Sequence, residues 1–379
     1  VLDTRNNGMR EVYRCIHQHG PITKLELIQL TGMKQTTVVR RLDDLMNSGW
    51  IRIKQHDISS GGRPPALYEI EPTAAVMIGI DLSRRETTVS MNDMSFNIIG
   101  SHTFQMKEDH TPVHTISLIK EKITDLFQTY KVDEENLLGI GIGTVGPLDR
   151  NQGTMHAKNF IAGEWDHFPI VHELNKTFNT TILLENGANT AALYETMTRP
   201  DSKNQSILYC ISGWGMRCGY VLNGEIMHDK QGDASSFGEM IINPYTKGTL
   251  ASYISYEYIL SKIEQKRTLT NVNKNEKKNQ LMHALLSEDP EIQDIVLDSA
   301  YYYGIGLANM INILHPKIVI LNSEMIRKYP TYYEKIIETA QDFVFQPEKQ
   351  NPEFRSADFK VNPASVGASM LVFNAYFKA

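Results

Sequence analysis

Long apolar runs are absent from the 379-residue chain, and none approaches the ~18 residues that cross a bilayer. No membrane-spanning helix and no membrane partner are therefore expected. The first residues lack the basic-then-apolar order of a secretory signal, which points to a cytoplasmic location. Cysteine is scarce as well. Cys15, Cys210 and Cys218 are too few and too scattered for a disulfide framework, and their spacing matches no zinc pattern. Buried thiols in a reducing compartment are the expectation. Nor is there a large excess of positive charge: the formal net charge of −6 argues against indiscriminate binding to nucleic acid.

The charge that is present is unevenly placed. Residues 1–71 hold ten Lys/Arg against eight Asp/Glu, while the remaining 28 basic residues face 36 acidic ones. A weakly basic head on an acidic body suits a small DNA-reading module joined to a larger domain of another kind.

Three helical patterns fill that head. In Asn7–His19, Met9, Val12, Tyr13 and Ile16 recur at i, i+3, i+4 and i+7, one face of a helix that Gly20-Pro21 ends. Thr23 stands three residues before Glu26, the spacing of a capping box, and opens a helix over Lys24–Thr31. Gly32 breaks it. A third helix follows in "KQTTVVRRLDDLMNSGW", with Val38, Leu42 and Leu45 as its buried stripe and Gly49 at its end. Next, "WIRIKQHDISSGGRPPALYEI" reads as two alternating strands around a Ser/Gly/Pro turn.

This order of elements is that of a winged helix-turn-helix. The third helix is expected in the major groove of double-stranded DNA, where Lys34, Gln35, Thr36, Thr37, Arg40 and Arg41 could reach base edges and phosphates. The wing would carry Arg63 toward a minor groove or the phosphates. Arg40 and Arg41 also fit a solvated face shared with Asp43 and Asp44. His17, His19 and His56 have no acidic or cysteine companions at ligand spacing, so nothing in the head suggests an enzyme.

From Ala75 the pattern changes. "AVMIGIDLS" is a buried strand, alternating runs follow near Glu86–Met91 and Asn97–Met106, and Val113–Tyr130 has Ile116, Ile119, Ile123 and Phe127 on one helical face. "LLGIGIGTVGPLD" reads as a buried strand running into a Gly/Pro loop. A second set begins after Thr190, with strands at Ser206–Ser212 and Arg217–Leu222, a turn at Asn223–Glu225 and a third strand at Ile226–His228. Helices are expected at Leu250–Glu264, about Glu276–Ser287 and Glu291–Leu314, with a buried strand at "KIVILNS" and a closing helix at Ser365–Phe377 against the first lobe. The charged stretch Glu264–Gln280 reads as a solvated loop. Strand–strand–strand–helix–strand, met twice, predicts an α/β body of the two-lobed actin-like ATPase type with a ligand cleft between the lobes.

Five segments, met in order, carry a resemblance: "GGRPP", "GIGTVGPLD", "KNFIAGEWDHFPI", "ENGANTAAL" and "VLNGEIMHDKQGDASSFGE". With them the chain resembles transcriptional regulators of the ROK family (repressors, open reading frames, kinases). The resemblance implies a winged helix-turn-helix at 1–71 and a sugar-kinase-like domain at 72–379. In the latter, one lobe spans about 75–186 plus the helix 365–379, and the other about 187–362.

The family's pattern fails at several places that carry chemistry. Its kinases follow the first-lobe aspartate with small residues whose backbone cups phosphate, whereas Asp81 is followed by Leu82, Ser83, Arg84 and Arg85. In the second phosphate loop Gly213, Gly215 and Gly219 remain, but Trp214, Met216 and Arg217 intrude. The family's catalytic aspartate is replaced by Gly187, which accepts no proton. The histidine and cysteines of a structural zinc site are missing, with Thr249 where the last cysteine is implied and Ala251 where a sugar-holding glutamate is. Neither zinc nor ATP is therefore expected, and no enzymatic activity.

Asn159, Asn186 and Glu239 match positions that hydrogen-bond sugar hydroxyls in the family. Asn186 and Asn189 fit helix capping as well, and Trp165 fits a core as well as a stacking role. The implied function is that of a repressor of carbohydrate metabolism or uptake genes, acting as a homodimer or dimer of dimers, that senses a sugar or sugar derivative without phosphorylating it. The alternatives are a vestigial cleft controlled by a protein partner, or a kinase with residual activity.

Overall fold

A computed structural model describes residues 7–54, 65–107, 109–157, 160, 164–199, 201, 205–228, 234–266, 274–358 and 360–377, the side chains of 235, 274 and 275 excepted. The wing tip with Arg63 and the position of Asn159 lie outside the described residues.

The head has three helices, Asn7–His19, Lys24–Thr31 and Gln35–Asn47. Beside them lies an antiparallel sheet in the order Ile22–Thr23, Leu67–Ile70, Ile51–Lys54. The capping box forms: Glu26 N–H donates to Thr23 Oγ1 at 3.3 Å, and Thr23 N–H donates to Glu26 Oε2 at 2.8 Å. Gly32 ends that helix at φ 65°, a left-handed position that costs glycine little. Val38, Leu42 and Leu45 are buried along the third helix, as their spacing requires.

The body is two sheets of identical plan. In the first, Thr181–Asn186, Leu137–Thr144, Val76–Leu82, Glu86–Asp93 and Ile98–Gln105 lie side by side in that order. The second repeats it with Glu353–Ser356, Ile318–Asn322, Ile207–Ser212, Met216–Leu222 and Glu225–Ile226. In each, the first three strands of the row are parallel, and antiparallel neighbours complete the other side. Every residue of Leu137–Thr144 is buried, as expected of a central strand covered on both faces. Among the described residues no helix is long and apolar enough to cross a membrane.

Two expectations need correction. The stretch Glu264–Gln280 is not a loop throughout: helices run over Tyr256–Lys266 and Lys274–Leu286, and 267–273 lies outside the described residues. Leu281, Met282 and Leu285 bury one face there, and Lys278 is buried with its ammonium 2.6 Å from Glu324, so its charge does not mark solvent. The helix expected over Leu250–Glu264 divides at Ser255 into Leu250–Ile254 and Tyr256–Lys266.

The closing helix, Pro363–Phe377, joins head and both lobes. A Cβ at Gly141 would overlap the Ala368 carbonyl, and one at Gly367 would overlap the Thr190 carbonyl on the helix Gly187–Thr198. The contacts are backbone on backbone, which only glycine permits. The far end of this helix holds the head. Tyr13 stacks on Phe377 with centroids 4.4 Å apart, Trp50 meets Phe377 edge-on at 5.8 Å, and His17 packs on Phe373 at 4.4 Å. His17 Nε2 also lies 3.0 Å from the Met94 carbonyl oxygen of the first lobe. Head and first lobe thus share one hydrophobic cluster.

Gly367→Ala should lower stability by about 2–3 kcal/mol in urea denaturation, because the methyl must push the facing helices away from each other. Gly215→Ala, with nothing within 4 Å of its added Cβ, should be near neutral. Equal effects would contradict this packing.

Candidate functional site

The strand Thr181–Asn186 ends in the cleft, where the helix Gly187–Thr198 begins. Asn186 occupies the N-cap position and is buried, but its side chain makes no capping bond. Asn189 does not cap either: its Nδ2 donates to Glu185 Oε1 at 2.9 Å.

Glu185 is the centre of the site, and sequence reasoning missed it. Arg150, from the first lobe, grips the carboxylate with two prongs, Nε to Oε2 at 2.7 Å and Nη2 to Oε1 at 2.6 Å. His228, beyond the hairpin of the second lobe, donates from Nε2 to Oε2 at 2.7 Å, and the Asn186 N–H donates to Oε1 at 2.7 Å. Burial alone would raise the Glu185 pKa; the bonds from His228, Arg150 and Asn189 outweigh it and hold the carboxyl down at about 2. One buried anion therefore ties the two lobes together.

Gly187 opens the other wall. A Cβ there would stand 3.6 Å from Asp81 Oδ1 and 3.8 Å from Thr144 N, so a side chain would fit and would face Asp81. Asp81 accepts from Asn362 Nδ2 at 3.0 Å, and burial raises its pKa against the pull of Asn362 and Arg217. Around it, two loop N–H groups are committed to the protein. Ser83 gives both its N–H and its hydroxyl to the Glu86 carbonyl, at 3.2 and 2.8 Å. Gly213 N–H donates to the Gly215 carbonyl at 3.0 Å, and Trp214 packs edge-on against Tyr256 at 5.4 Å. Arg85 reaches across to Glu324 of the second lobe, 3.5 Å away.

Glu239 is exposed at the end of the short turn Ala234–Glu239. Trp165 is core: it is buried between Phe160 and Phe168, with centroids at 4.9 and 5.5 Å. Thr249 caps the helix Leu250–Ile254, accepting from the Ser252 N–H at 3.4 Å. In the head, Lys34, Gln35, Thr36 and Arg40 are exposed at the start of the third helix and Thr37 is half-buried. Arg41 is drawn in, with its side chain 13% exposed and 3.2 Å from Asp44 on the same helix.

Between head and body lies a cavity of about 610 Å³. Arg14 and His17 of the head line it, with Thr196, Asn223, His228 and Phe373 of the body. His228 thus touches both Glu185 and the junction with the head.

The profile of the ROK family matches residues 77–375, and that of a winged helix-turn-helix DNA-binding domain matches residues 9–52. The xylose repressor of Bacillus spizizenii is 22% identical over 368 residues, 95% of this chain and 93% of its own. A solved ROK family transcriptional regulator, a homolog of the E. coli MLC protein, superposes with a TM-score of 0.79 at 16% identity, over 97% of this chain and 96% of that one. The ROK hexokinase from Thermus thermophilus does so with a TM-score of 0.66 at 21% identity, over 79% of this chain and 98% of its own.

Glu185→Gln should cost about 3 kcal/mol near neutral pH, since it leaves the Arg150 guanidinium without its anion. Because the Glu185 pKa is depressed when folded, its contribution is complete above the ordinary carboxylate range and is lost as pH falls toward about 2. The gap between wild type and variant in chemical denaturation should narrow over that window. A gap independent of pH would refute the assignment.

Proposed function

The chain belongs to the ROK family and carries a winged helix-turn-helix ahead of it, and on that premise we propose that it is a DNA-binding, sugar-responsive transcriptional repressor whose cleft binds its effector without turnover. The observation that carries the second half is Gly187. A Cβ there would make only ordinary contacts, the nearest 3.6 Å from Asp81 Oδ1, yet the position carries no proton-accepting side chain. In the loops on either side the Ser83 and Gly213 N–H groups go to protein carbonyls, and Arg85 pairs with Glu324. Phosphoryl transfer needs a positioned base and a cradled phosphate, and Gly187 together with the committed Ser83 and Gly213 N–H groups supports a cleft that supplies neither. ATP and zinc have no role in this proposal.

The effector would be a sugar or sugar derivative held by Asn186, with Asn159 and Glu239 as further contacts. Operator contacts would come from Lys34, Gln35, Thr36, Thr37 and Arg40 in the major groove and Arg63 on the wing, with Arg41 bracing the helix through Asp44. Two chains would present two heads to half-sites about one helical turn apart. Closure of the cleft acts on the helix Gly187–Thr198, which starts at its floor. That helix packs on Pro363–Phe377, and the latter on Tyr13 and Trp50 of the head. A coupling of ~1–3 kcal/mol along this route changes operator affinity 5- to 150-fold.

Calorimetric titration of pentoses, hexoses, amino sugars and their phosphates, with and without ATP, tests the proposal. One compound should bind saturably, indifferent to ATP, and Asn186→Ala should abolish the signal. ATP consumption with any sugar would overturn sensing without turnover. Silence across the panel would overturn the sugar effector and turn the search to a protein partner on the acidic body.

A further inference from the structure

Away from Glu185, the first lobe carries a small second sheet. Its strand Thr154–His156 pairs antiparallel with Asp166–Phe168, and the register shifts between Asp166 and Phe168, so Asp166 and His167 together face His156. A bulge of this kind breaks the alternation that would send successive side chains to opposite faces. His167 sits at φ 60° there, a strained position for a residue with a Cβ.

As a result, three ligating side chains converge, each offering an atom within 4.8 Å of the others. Asp166 Oδ1 is 3.9 Å from His156 Nδ1 and 3.8 Å from His167 Nε2. Those gaps are too long for hydrogen bonds. They are a few tenths of an ångström beyond the ~3.4 Å that separates two ligands of one tetrahedral ion bound at about 2.1 Å. His156 and Asp166 are half-buried and His167 is exposed.

We propose that His156, Asp166 and His167 bind a divalent transition-metal ion of the zinc class. Two imidazoles and one carboxylate are a borderline donor set that suits zinc over magnesium or calcium, which prefer oxygen alone. The ion clips the strands Thr154–His156 and Asp166–Phe168 together. The site is separate from the cysteine-type zinc site that the chain lacks, and it stands whether or not the cleft takes a sugar.

The test is titration of zinc chloride into the purified full-length chain, read by calorimetry and by thermal unfolding, with cobalt(II) absorption as a report on coordination. One ion per chain should bind and raise the unfolding temperature. His167→Ala, at an exposed position, should weaken binding at least tenfold, as should Asp166→Asn. The exposed His114→Ala should bind as wild type does. Absence of saturable zinc binding by the folded wild type would overturn the proposal. So would an affinity unchanged in the double variant His156→Ala/His167→Ala.

Discussion

The close approach of the C-terminal helix to the rest of the molecule is the constraint on which the structure depends. Where Gly141 and Gly367 lie, carbonyl oxygens of neighbouring elements occupy the space a side chain would need. A contact between backbones has little freedom to slide, since packed interfaces yield in steps and not continuously. The same helix presents Phe373 and Phe377 to Tyr13, His17 and Trp50 at its far end. Aromatic pairs of this kind add roughly 0.5–1.5 kcal/mol each beyond the area they bury. The head is therefore held to the body by a definite surface, and a shift of that helix moves the DNA-reading helix with it.

Electrostatics set the second constraint, on the lobes. Glu185 takes Arg150 from one side and His228 from the other, and Arg85 meets Glu324 across the cleft mouth. The pair on buried Glu185 adds little net stability against hydrophobic packing, because desolvation offsets the attraction, and the pair on exposed Arg85 is weakened by solvent. Their use is in specifying one arrangement: a lobe movement must break or remake them. A ligand that prefers one arrangement shifts the equilibrium by its differential affinity and no more. On the proposed reading, with Gly187 in place of a base, binding energy in this cleft would be available for that shift.

Much of the fold was legible in the sequence because local signals agreed with tertiary ones. The Thr23–Glu26 spacing became a capping box, and the Val38, Leu42, Leu45 stripe became the buried face of the third helix. The double strand pattern became two sheets of one plan. The Glu185 centre was hidden for a physical reason: its partners stand 35 and 43 residues away in sequence, and one of them, His228, meets it only across the lobes. One signal could have found it, since an acid closing the apolar run "TILLEN" needs a buried partner. The helix Lys274–Leu286 was expected at about Glu276–Ser287, but its first turns were also read into a solvated loop, because the buried Lys278 looks like a solvent residue. The grouping of Asp166 with His156 and His167 depends on a bulge, which no spacing rule reveals.

The central claim is that the cleft speaks to the DNA through the C-terminal helix, and Phe377→Ala examines it most directly. Operator affinity would be measured by fluorescence anisotropy on a duplex selected from random sequence, with and without the sugar identified by calorimetry. The account predicts that the folded variant binds the sugar as wild type does and still binds DNA, while the several-fold effect of sugar on operator affinity falls close to unity. A full response in the folded variant would contradict it.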